Sequence, residues 1–343
     1  MNDPIDIRTK KKLNKYEEEI QNGFDKALVF STLEKNFVNN LDSWAQFQQK
    51  WCNNAFSTFK DYDKYLVLIY LFQQVWQTYA DKFQYFTIEE FYSRDEWSIE
   101  KINLIQIAAD LKIPKESIRR KINEFQKEGI LVRDGKKIIL NKAAISHQKP
   151  NHSLEYLSNF IHKHTLILQK ESWFGVSLTK EEIKAYFEKY YTVFWLRFFK
   201  LQIPFLVRWR ELFSDLETWN VWGVIAINHQ HNLKLTLKKN TYDEQEIKAN
   251  EYYNEIIKAK VNYGINASSI SDISHIPRAT VIRKLKWLTR HKLIKKNKEL
   301  EYLMRKGGKI NEKTNKIFML NRNLVLNFVS DIIDLIKNSK FEI

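Results

Sequence analysis

The same pattern of apolar and polar positions occurs twice in this chain, at 107–125 and again 163 residues later at 270–288. In each copy an Ile-Pro pair precedes apolar residues spaced i, i+4 and i+7, which share one face of an α-helix. The pattern predicts an amphipathic helix after each Ile-Pro pair. The spaced apolar residues are Ile118, Ile122 and Phe125 in the first copy and Val281, Leu285 and Leu288 in the second.

A shorter helix is predicted before each of these, at 102–111 in the first copy and 268–275 in the second. Proline disfavours helical backbone angles in the residue before it and fits the first turn of a new helix. Pro114 and Pro277 therefore mark the end of one helix and the start of the next. Two helices joined in this way form a helix-turn-helix unit, and a chain with two such units is predicted to bind double-stranded DNA.

The face opposite each apolar stripe carries basic, amide and hydroxyl side chains. Arginine and asparagine can read guanine and adenine edges in the major groove, and short hydroxyls suit phosphate contacts. The alternative is an ordinary solvated helix face, which the repetition of the pattern disfavours. The candidate DNA-binding residues on these helices are Glu116, Ser117, Arg119, Arg120, Asn123 and Lys127 in the first copy and Arg278, Thr280, Arg283, Lys286 and Arg290 in the second.

Strand-like sequence follows each of these helices. In the first copy Asp134-Gly135 separates two β-rich runs, which predicts a hairpin, or wing. The second predicted wing is longer: it leaves at 293–296, returns at 317–320 and carries a basic tip at 305–309. A disordered loop is the equal alternative for that tip. The candidate DNA-binding residues on the wings are Lys136, Lys137, Lys295, Lys296, Arg305, Lys306 and Lys309.

Positive charge is concentrated around the two units. The chain has a net charge of +15, and residues 112–142 hold ten basic and four acidic side chains while residues 277–316 hold fourteen and three. The rest of the chain is therefore close to neutral. Phosphate neutralisation releases counterions and strengthens binding, so this distribution favours DNA as the partner. An anionic membrane is disfavoured because the basic residues do not lie on a long helix with a broad apolar face.

Composition favours a mainly α-helical fold with small β-wings, because the 343 residues include only eight glycines and five prolines. Cys52 is the single cysteine, so an intramolecular disulfide and a thiolate zinc site are both excluded. The first residues lack the apolar core of a signal peptide, and the longest apolar run, Leu66 to Phe72, is too short for a membrane span. We expect a cytoplasmic protein.

The repetition extends beyond the two units and predicts two similar helical halves. Shifting the sequence by 154 places Asp61 on Asp215 within matching aromatic regions. The predicted organisation is a basic N-terminal arm at 1–19, which either tracks a minor groove or is a plain frayed start. A first repeat at 20–170 would contain a winged helix-turn-helix at about 99–142, and a second at 171–343 would contain another at about 265–321.

Taken together, the chain resembles a tandem pair of MarR-type winged-helix regulators. The resemblance rests on the shared pattern Ile-Pro-x-x-[Ser/Thr]-[Ile/Val]-x-Arg-Lys, on Asp134-Gly135 and on predicted helices near 153–168 and 322–338. It implies terminal helices that build a dimer interface and two recognition helices that face successive major grooves. One chain would supply both halves here, as a monomeric pseudo-dimer. The second half lacks the family's acidic-arginine wing signature.

Motifs for catalysis are missing from the sequence: it has no phosphate-cradling glycine loop, no HExxH and no paired CxxC. His162/His164 and His229/His231 are two residues apart, which suits a metal poorly on a helix. We expect neither enzymatic activity nor a cofactor. Trp209, Trp219 and Trp222 form an aromatic cluster that is either plain core or the lining of a pocket for a small-molecule effector.

These features favour a sequence-specific regulator of transcription. A plasmid- or phage-type replication initiator is the first alternative, because such proteins also use tandem winged helices. A scaffold whose winged helices bind another protein is the second alternative, and the concentrated positive charge argues against it.

Overall fold

The computed structural model describes residues 26–147, 153–170, 178–239, 263–305 and 309–339, and most of these residues are helical. In chain order the helices of the described part are α1 (Lys26–Lys35), α2 (Phe37–Phe59), α3 (Tyr62–Ala80), α4 (Ile88–Ser93), α5 (Leu104–Leu111), α6 (Lys115–Lys127), α7 (Lys142–His147), α8 (Ser153–Lys170), α9 (Lys180–Lys189), α10 (Tyr191–Phe213), α11 (Leu216–Lys239), α12 (Ala267–Ser274), α13 (Arg278–Arg290) and α14 (Lys309–Ser339).

Two small antiparallel sheets accompany these helices. The strands are β1 (Glu96–Ile99), β2 (Leu131–Asp134), β3 (Lys137–Asn141), β4 (Ile294–Lys296) and β5 (Tyr302–Met304). The first sheet has the order β1–β3–β2, and β4 pairs with β5 in the second. The predicted mainly α fold with small β elements is confirmed at this level. Within the described ranges, no helix is both long and apolar enough to cross a lipid bilayer.

Helices α3 and α10 form the centre of the core because their apolar residues extend around most of the helix. In α3, residues 65–72 are all buried, and α10 is buried over most of its length despite Pro204 in its interior. Helix α10 packs against both α3 and α14, while α2 packs against both α11 and α8. Helices from the two ends of the chain therefore share one hydrophobic core.

Pairs of elements recur along the chain at constant offsets. An offset of 154 residues relates α1 to α9 and α2 to α10, with identical lengths in each pair, and also relates the first residues of α3 and α11. An offset of 163 residues relates α5 to α12 and α6 to α13, again with identical lengths. The contacts follow the same relation, because α10 lies against α3 as α2 lies against α11.

A reciprocal pair of side-chain amides joins α2 and α10. Gln48 Nε2 donates to Gln202 Oε1 over 2.8 Å, and Gln202 Nε2 donates to Gln48 Oε1 over 3.0 Å. Both residues are buried, and they are themselves separated by 154 positions. Each amide thus supplies the hydrogen-bond partner of the other at the contact between α2 and α10, the two helices related by the offset of 154. An unpaired amide buried there would be costly.

The prediction of a returning strand at 317–320 in the second wing was wrong. Residues 317–320 lie inside α14, and the strand that pairs with β4 is β5, much closer in sequence. A short apolar run does not distinguish a strand from a buried helix by periodicity, and Ile317 and Phe318 pack against the core from α14. The tight connection is made at Asn297, whose backbone N–H and carbonyl bond to Glu301 and Leu300.

Other predicted boundaries are close to the observed ones. The helices predicted at 102–111 and 268–275 are α5 and α12, each shifted by one or two residues at its start. The helix predicted near 153–168 is α8, and the one near 322–338 is the C-terminal part of α14. The basic arm predicted at 1–19 lies outside the described residues.

We expect Gln48→Ala to lower the free energy of unfolding by about 1–3 kcal/mol, because the buried Gln202 amide loses its partner. The double variant Gln48→Leu/Gln202→Leu should cost less than the sum of the two single Leu substitutions, since it leaves no orphaned amide. Urea denaturation of the four proteins measures this coupling. Gln46→Ala, an exposed position on the same helix, is the control. Strictly additive effects would contradict the pairing.

Candidate nucleic-acid interface

The turn between α5 and α6 has the same backbone geometry as the turn between α12 and α13. Lys112, the C-cap residue after α5, has φ 54°, and His275, the C-cap residue after α12, has φ 57°. Pro114 then has φ −53° and ψ 137°, and Pro277 has φ −52° and ψ 135°. The isoleucine between these positions is buried in both turns. We call residues 104–141 the first unit and residues 267–304 the second unit.

In both units the apolar stripe of the second helix faces the core. The stripe residues of α6 and α13 named from the sequence are all buried. The opposite faces point to solvent, and Ser117 and Thr280 at their flanks are half-buried. The exposed candidates on these two helices are Glu116, Arg119, Arg120, Asn123, Lys127, Arg278, Arg283, Lys286 and Arg290.

The two exposed faces differ in how far their charge is compensated. On α6, Arg119 pairs with Glu116 at 2.7 Å and Arg120 approaches Glu124 at 3.7 Å. Exposed pairs of this kind contribute about 0–1 kcal/mol each and exchange readily for other partners. Helix α13 contains no acidic residue, and its exposed cations form no ion pair with a carboxylate within the described part of the chain. The second unit therefore has the stronger positive field.

The strands of the two units carry further basic side chains. In the first unit Gly135, at φ 55°, lies in a tight turn between paired Asp134 and Lys137. Lys136 is exposed, whereas Lys137 pairs with Glu100 at 3.0 Å. In the second unit Lys295 and Lys296 are both exposed on β4.

The predicted basic tip at 305–309 is divided by the structure. Arg305 follows β5, where its backbone N–H donates to the Leu293 carbonyl over 3.0 Å. Lys306 lies outside the described residues, and Lys309 is the first residue of α14. Arg305 and Lys309 therefore do not lie at the tip of a hairpin; residues 297–300 occupy that place between β4 and β5.

A lysine on the inner side of each exposed helix bonds to a helix-capping aspartate. Lys121 Nζ donates to Asp61 Oδ2, and Lys284 Nζ donates to Asp215 Oδ2 over 2.6 Å. The other oxygen of each carboxylate accepts a backbone N–H at the start of a long helix: that of Lys64 in α3 over 3.1 Å, and that of Thr218 in α11 over 2.7 Å. Each carboxylate thus fixes an exposed helix to a core helix.

Sequence reasoning did not assign a role to these lysines, although the signal was present. Lys121 and Lys284 occupy the same place in the two sequence copies, and Asp61 and Asp215 match at the other offset. Burial opposes ionisation of both aspartates, but the lysine ammonium and the backbone N–H groups outweigh it, so the pKa of each carboxyl is lowered. Both aspartates are therefore ionised at neutral pH.

The carboxyl group two residues after each aspartate, Asp63 after Asp61 and Glu217 after Asp215, has a different environment. In the first half of the chain, Asp63 accepts two bonds from Arg210 of α10, at 2.7 and 2.9 Å, and Arg210 also donates to the Lys112 carbonyl over 2.9 Å. The residue at offset 154 from Asp63 is Glu217, and the residue at that offset from Arg210 is Phe56. Burial, reinforced by the charge of Asp215, raises the pKa of Glu217 to about 7.

Three observations concern metal-binding and reactive side chains among the described residues. They contain no group of three or more His, Cys, Asp or Glu side chains arranged to hold a metal ion. Burial raises the pKa of the Cys52 thiol, which disfavours a reactive thiolate. Burial also lowers the pKa of His164 to about 4, and its Nδ1 bonds to the Phe160 carbonyl within the same helix over 2.8 Å.

Comparison of this chain with protein-family models, with curated protein sequences and with solved structures finds no match.

Glu217 makes stability depend on pH near neutrality. Its pKa in the folded chain exceeds the ordinary value of 4.5, so the folded protein retains a proton that the unfolded chain loses. Stability should therefore fall as the pH rises from about 4.5 to about 7. We expect Glu217→Gln to be more stable than wild type by about 1–3 kcal/mol near pH 8, and to differ little near pH 4.5.

Denaturant titrations across this pH range measure the effect. Glu211→Gln, which changes an exposed carboxylate on α10, is the control and should leave the pH profile unchanged. A Glu217→Gln curve that runs parallel to that of wild type at every pH would show that the carboxyl of Glu217 does not titrate in this window.

Proposed function

We propose that this chain binds double-stranded DNA sequence-specifically through α6 and α13. The observation that carries the proposal is the pair of exposed basic helix faces, each entered through a turn of the same backbone geometry and each fixed to the core by a lysine–aspartate bond. A rigidly mounted helix with exposed arginines suits the major groove, which admits one α-helix and displays a distinct pattern at each base pair.

In this proposal the first and second units are winged helix-turn-helix domains, with α6 and α13 as recognition helices. The hairpins β2–β3 and β4–β5 act as the wings. Their exposed lysines, together with those of the recognition helices, neutralise phosphates and fix the register on the duplex. The matched offsets and the shared core support the further proposal that the chain consists of two repeated halves arranged as a single-chain pseudo-dimer.

Base reading is assigned to the residues at the centre of each exposed face. Arg120 and Arg283 occupy equivalent positions and suit guanine, while Asn123 suits adenine. The ion pair between Arg120 and Glu124 is long and exposed, so breaking it to reach a base costs little.

Regulation of transcription is the function that we propose for this binding. A replication initiator would use the same surfaces but would bind repeated origin sequences and melt AT-rich DNA. Selection of bound sequences from a random DNA pool, followed by strand-opening assays on the selected duplex, separates the two: strand opening supports the initiator. A protein-binding scaffold is distinguished by a salt titration, because only phosphate contacts give a slope of about 0.9 per contact for log affinity against log salt.

We expect Arg120→Ala and Arg283→Ala each to weaken binding to the selected site by about 1–3 kcal/mol, because each removes a bidentate contact with a base edge. The double variant should also lose preference for the selected site over random duplex. Fluorescence anisotropy at several salt concentrations measures both effects.

The matched control is Lys184→Ala/Lys200→Ala, which removes the same charge from exposed positions on α9 and α10. It should change neither affinity nor preference by more than the small, general effect of net charge. Wild-type affinity in the double arginine variant would show that α6 and α13 do not recognise the bases of the site.

The selected site should be asymmetric, because the two exposed helix faces differ. Glu116 can accept a hydrogen bond from a cytosine amino group, whereas the equivalent Ala279 cannot. Asn123 suits adenine, whereas the equivalent Lys286 suits guanine or phosphate. We therefore expect two unlike half-sites, about one helical turn apart, bound by one chain. Footprinting together with the mass of the complex tests this: a palindrome covered by two chains would contradict the pseudo-dimer and leave the helix assignment standing.

A further inference from the structure

The hairpin of β4 and β5 carries a leucine at its tip. The Asn297 N–H donates to the Glu301 carbonyl over 2.9 Å, and the Leu300 N–H donates to the Asn297 carbonyl over 3.3 Å. Residues 298–300 therefore form a three-residue loop, a kind of hairpin loop whose last residue has left-handed backbone angles. Leu300 occupies that position with φ 63°, and 64% of its surface is exposed.

Leucine is unfavourable at this position for two reasons. Left-handed backbone angles bring Cβ close to the following carbonyl, so glycine is preferred there. The hairpin of the first unit has Gly135, at φ 55°, where its own turn becomes left-handed. An exposed leucine also gains nothing from burial within the folded chain. A strained backbone together with an exposed apolar side chain indicates a contact made outside the chain.

Hydrogen bonds on both sides fix this turn in place. Asn297 Nδ2 donates to Glu301 Oε2 over 3.0 Å, and Asn297 Oδ1 accepts from the Glu301 N–H over 2.7 Å. The N–H of Gly264, in the segment before α12, donates to Glu301 Oε2 over 2.9 Å. A Cβ at Gly264 would lie 2.7 Å from Glu301 Cβ, so this segment reaches the hairpin only because the residue is glycine. Leu300 is therefore carried by a turn that is fixed to its neighbours.

Exposed lysines flank the leucine along the hairpin. Lys295 and Lys296 on β4 and Lys298 in the turn are all exposed. A single apolar side chain among ammonium groups suits stacked base pairs that lie between two phosphate backbones. A membrane is a poorer match, because even a whole acyl chain binds a membrane only weakly by itself. The charge and the apolar tip therefore favour duplex DNA.

Helix α13 determines which groove the tip would meet. Strand β4 packs against α13 and begins four residues after that helix ends. With α13 in the major groove, the hairpin would cross the adjacent sugar–phosphate backbone and direct its tip to the minor groove. Leucine is among the side chains that proteins insert between base pairs from the minor groove, which unstacks the bases and bends the duplex.

We infer that Leu300 inserts between two adjacent base pairs from the minor groove, beside the half-site of α13, and bends the duplex at that step. The flanking lysines contact phosphates on either side. This inference rests on the proposed DNA binding and adds to it a deformation of the DNA by the second unit alone, because the first hairpin has Gly135 and Lys136 in its turn. The binding site then includes a flexible pyrimidine–purine step whose base edges are not read.

Four variants separate the apolar side chain from the backbone of the turn. Leu300→Gly and Leu300→Asn suit left-handed backbone angles and remove the apolar side chain, so neither should lower the melting temperature. Leu300→Phe retains an apolar side chain of the kind that unstacks base pairs. Leu320→Asn, at an exposed position of α14, is the matched control and should behave as wild type does.

The probe is the duplex selected from the random DNA pool, with a donor and an acceptor dye at its two ends and 2-aminopurine placed in turn at each step beside the α13 half-site. Wild type and Leu300→Phe should bend this duplex by about 20–90° and raise the 2-aminopurine fluorescence at one step. Leu300→Gly and Leu300→Asn should bind with at most about tenfold lower affinity, with a smaller bend and without the fluorescence change. Replacing the step by a stiff A-tract should weaken wild type by about fivefold or more and Leu300→Gly by less than about twofold.

A wild-type complex with the same bend and the same fluorescence as that of Leu300→Gly overturns the insertion of Leu300 and leaves the DNA binding standing. Failure of wild type to bind any duplex of the pool overturns the proposed function, and the insertion with it. Sedimentation without DNA and binding to phosphatidylserine vesicles cover the other contacts. If Leu300→Gly abolishes self-association or vesicle binding while the bend is unchanged, Leu300 contacts a second chain or a membrane, and the insertion is again overturned.

Discussion

The hydrogen bond between a lysine and a helix-capping aspartate fixes the orientation of each exposed helix, α6 through Lys121 and Asp61 and α13 through Lys284 and Asp215. The aspartate uses one oxygen to begin a long core helix and the other to hold the lysine of α6 or α13. Because the lysine lies beside the buried apolar stripe, its bond also fixes the rotation of the helix about its own axis. Which side chains face solvent therefore depends on a contact made from the opposite side of the helix.

The Lys121–Asp61 and Lys284–Asp215 bonds are equivalent, but the residues near them differ. Near the first aspartate, Arg210 compensates Asp63. At the matching positions of the other side stand Glu217 and Phe56, so a carboxyl is left with a raised pKa. Residue volumes differ as well. Ala45, Gly223 and Ala226 line a cavity, whereas the residues at offset 154 from them are the larger Phe199, Ile69 and Phe72. At the half-buried position of Glu217 the difference changes the pKa of a carboxyl group, and at the buried positions it changes packing.

The sequence predicted the parts of the fold that local pattern controls. The spacing of Ile118, Ile122 and Phe125 gave α6 and its buried face, and Pro114 gave the preceding turn. The run at 317–320 was wrongly predicted as a strand, because its environment is set by packing against distant helices. Contacts across 154 residues, such as Gln48 with Gln202, could not be read from periodicity. The cavity lined by Ala45, Gly223 and Ala226 was likewise not predictable from the sequence, since it depends on residue volumes at positions that only the fold brings together.

The reciprocal amide pair has a consequence for how such a molecule responds to dilution and to mutation. Both amides belong to one covalent chain, so the contact between the two sides is intramolecular and its extent does not depend on protein concentration. If the proposed DNA binding holds, occupancy of a site rises with the first power of the protein level, whereas a dissociating homodimer gives a steeper response. A substitution in α6 leaves α13 unchanged, and the reverse also holds, so the two exposed helices can diverge independently.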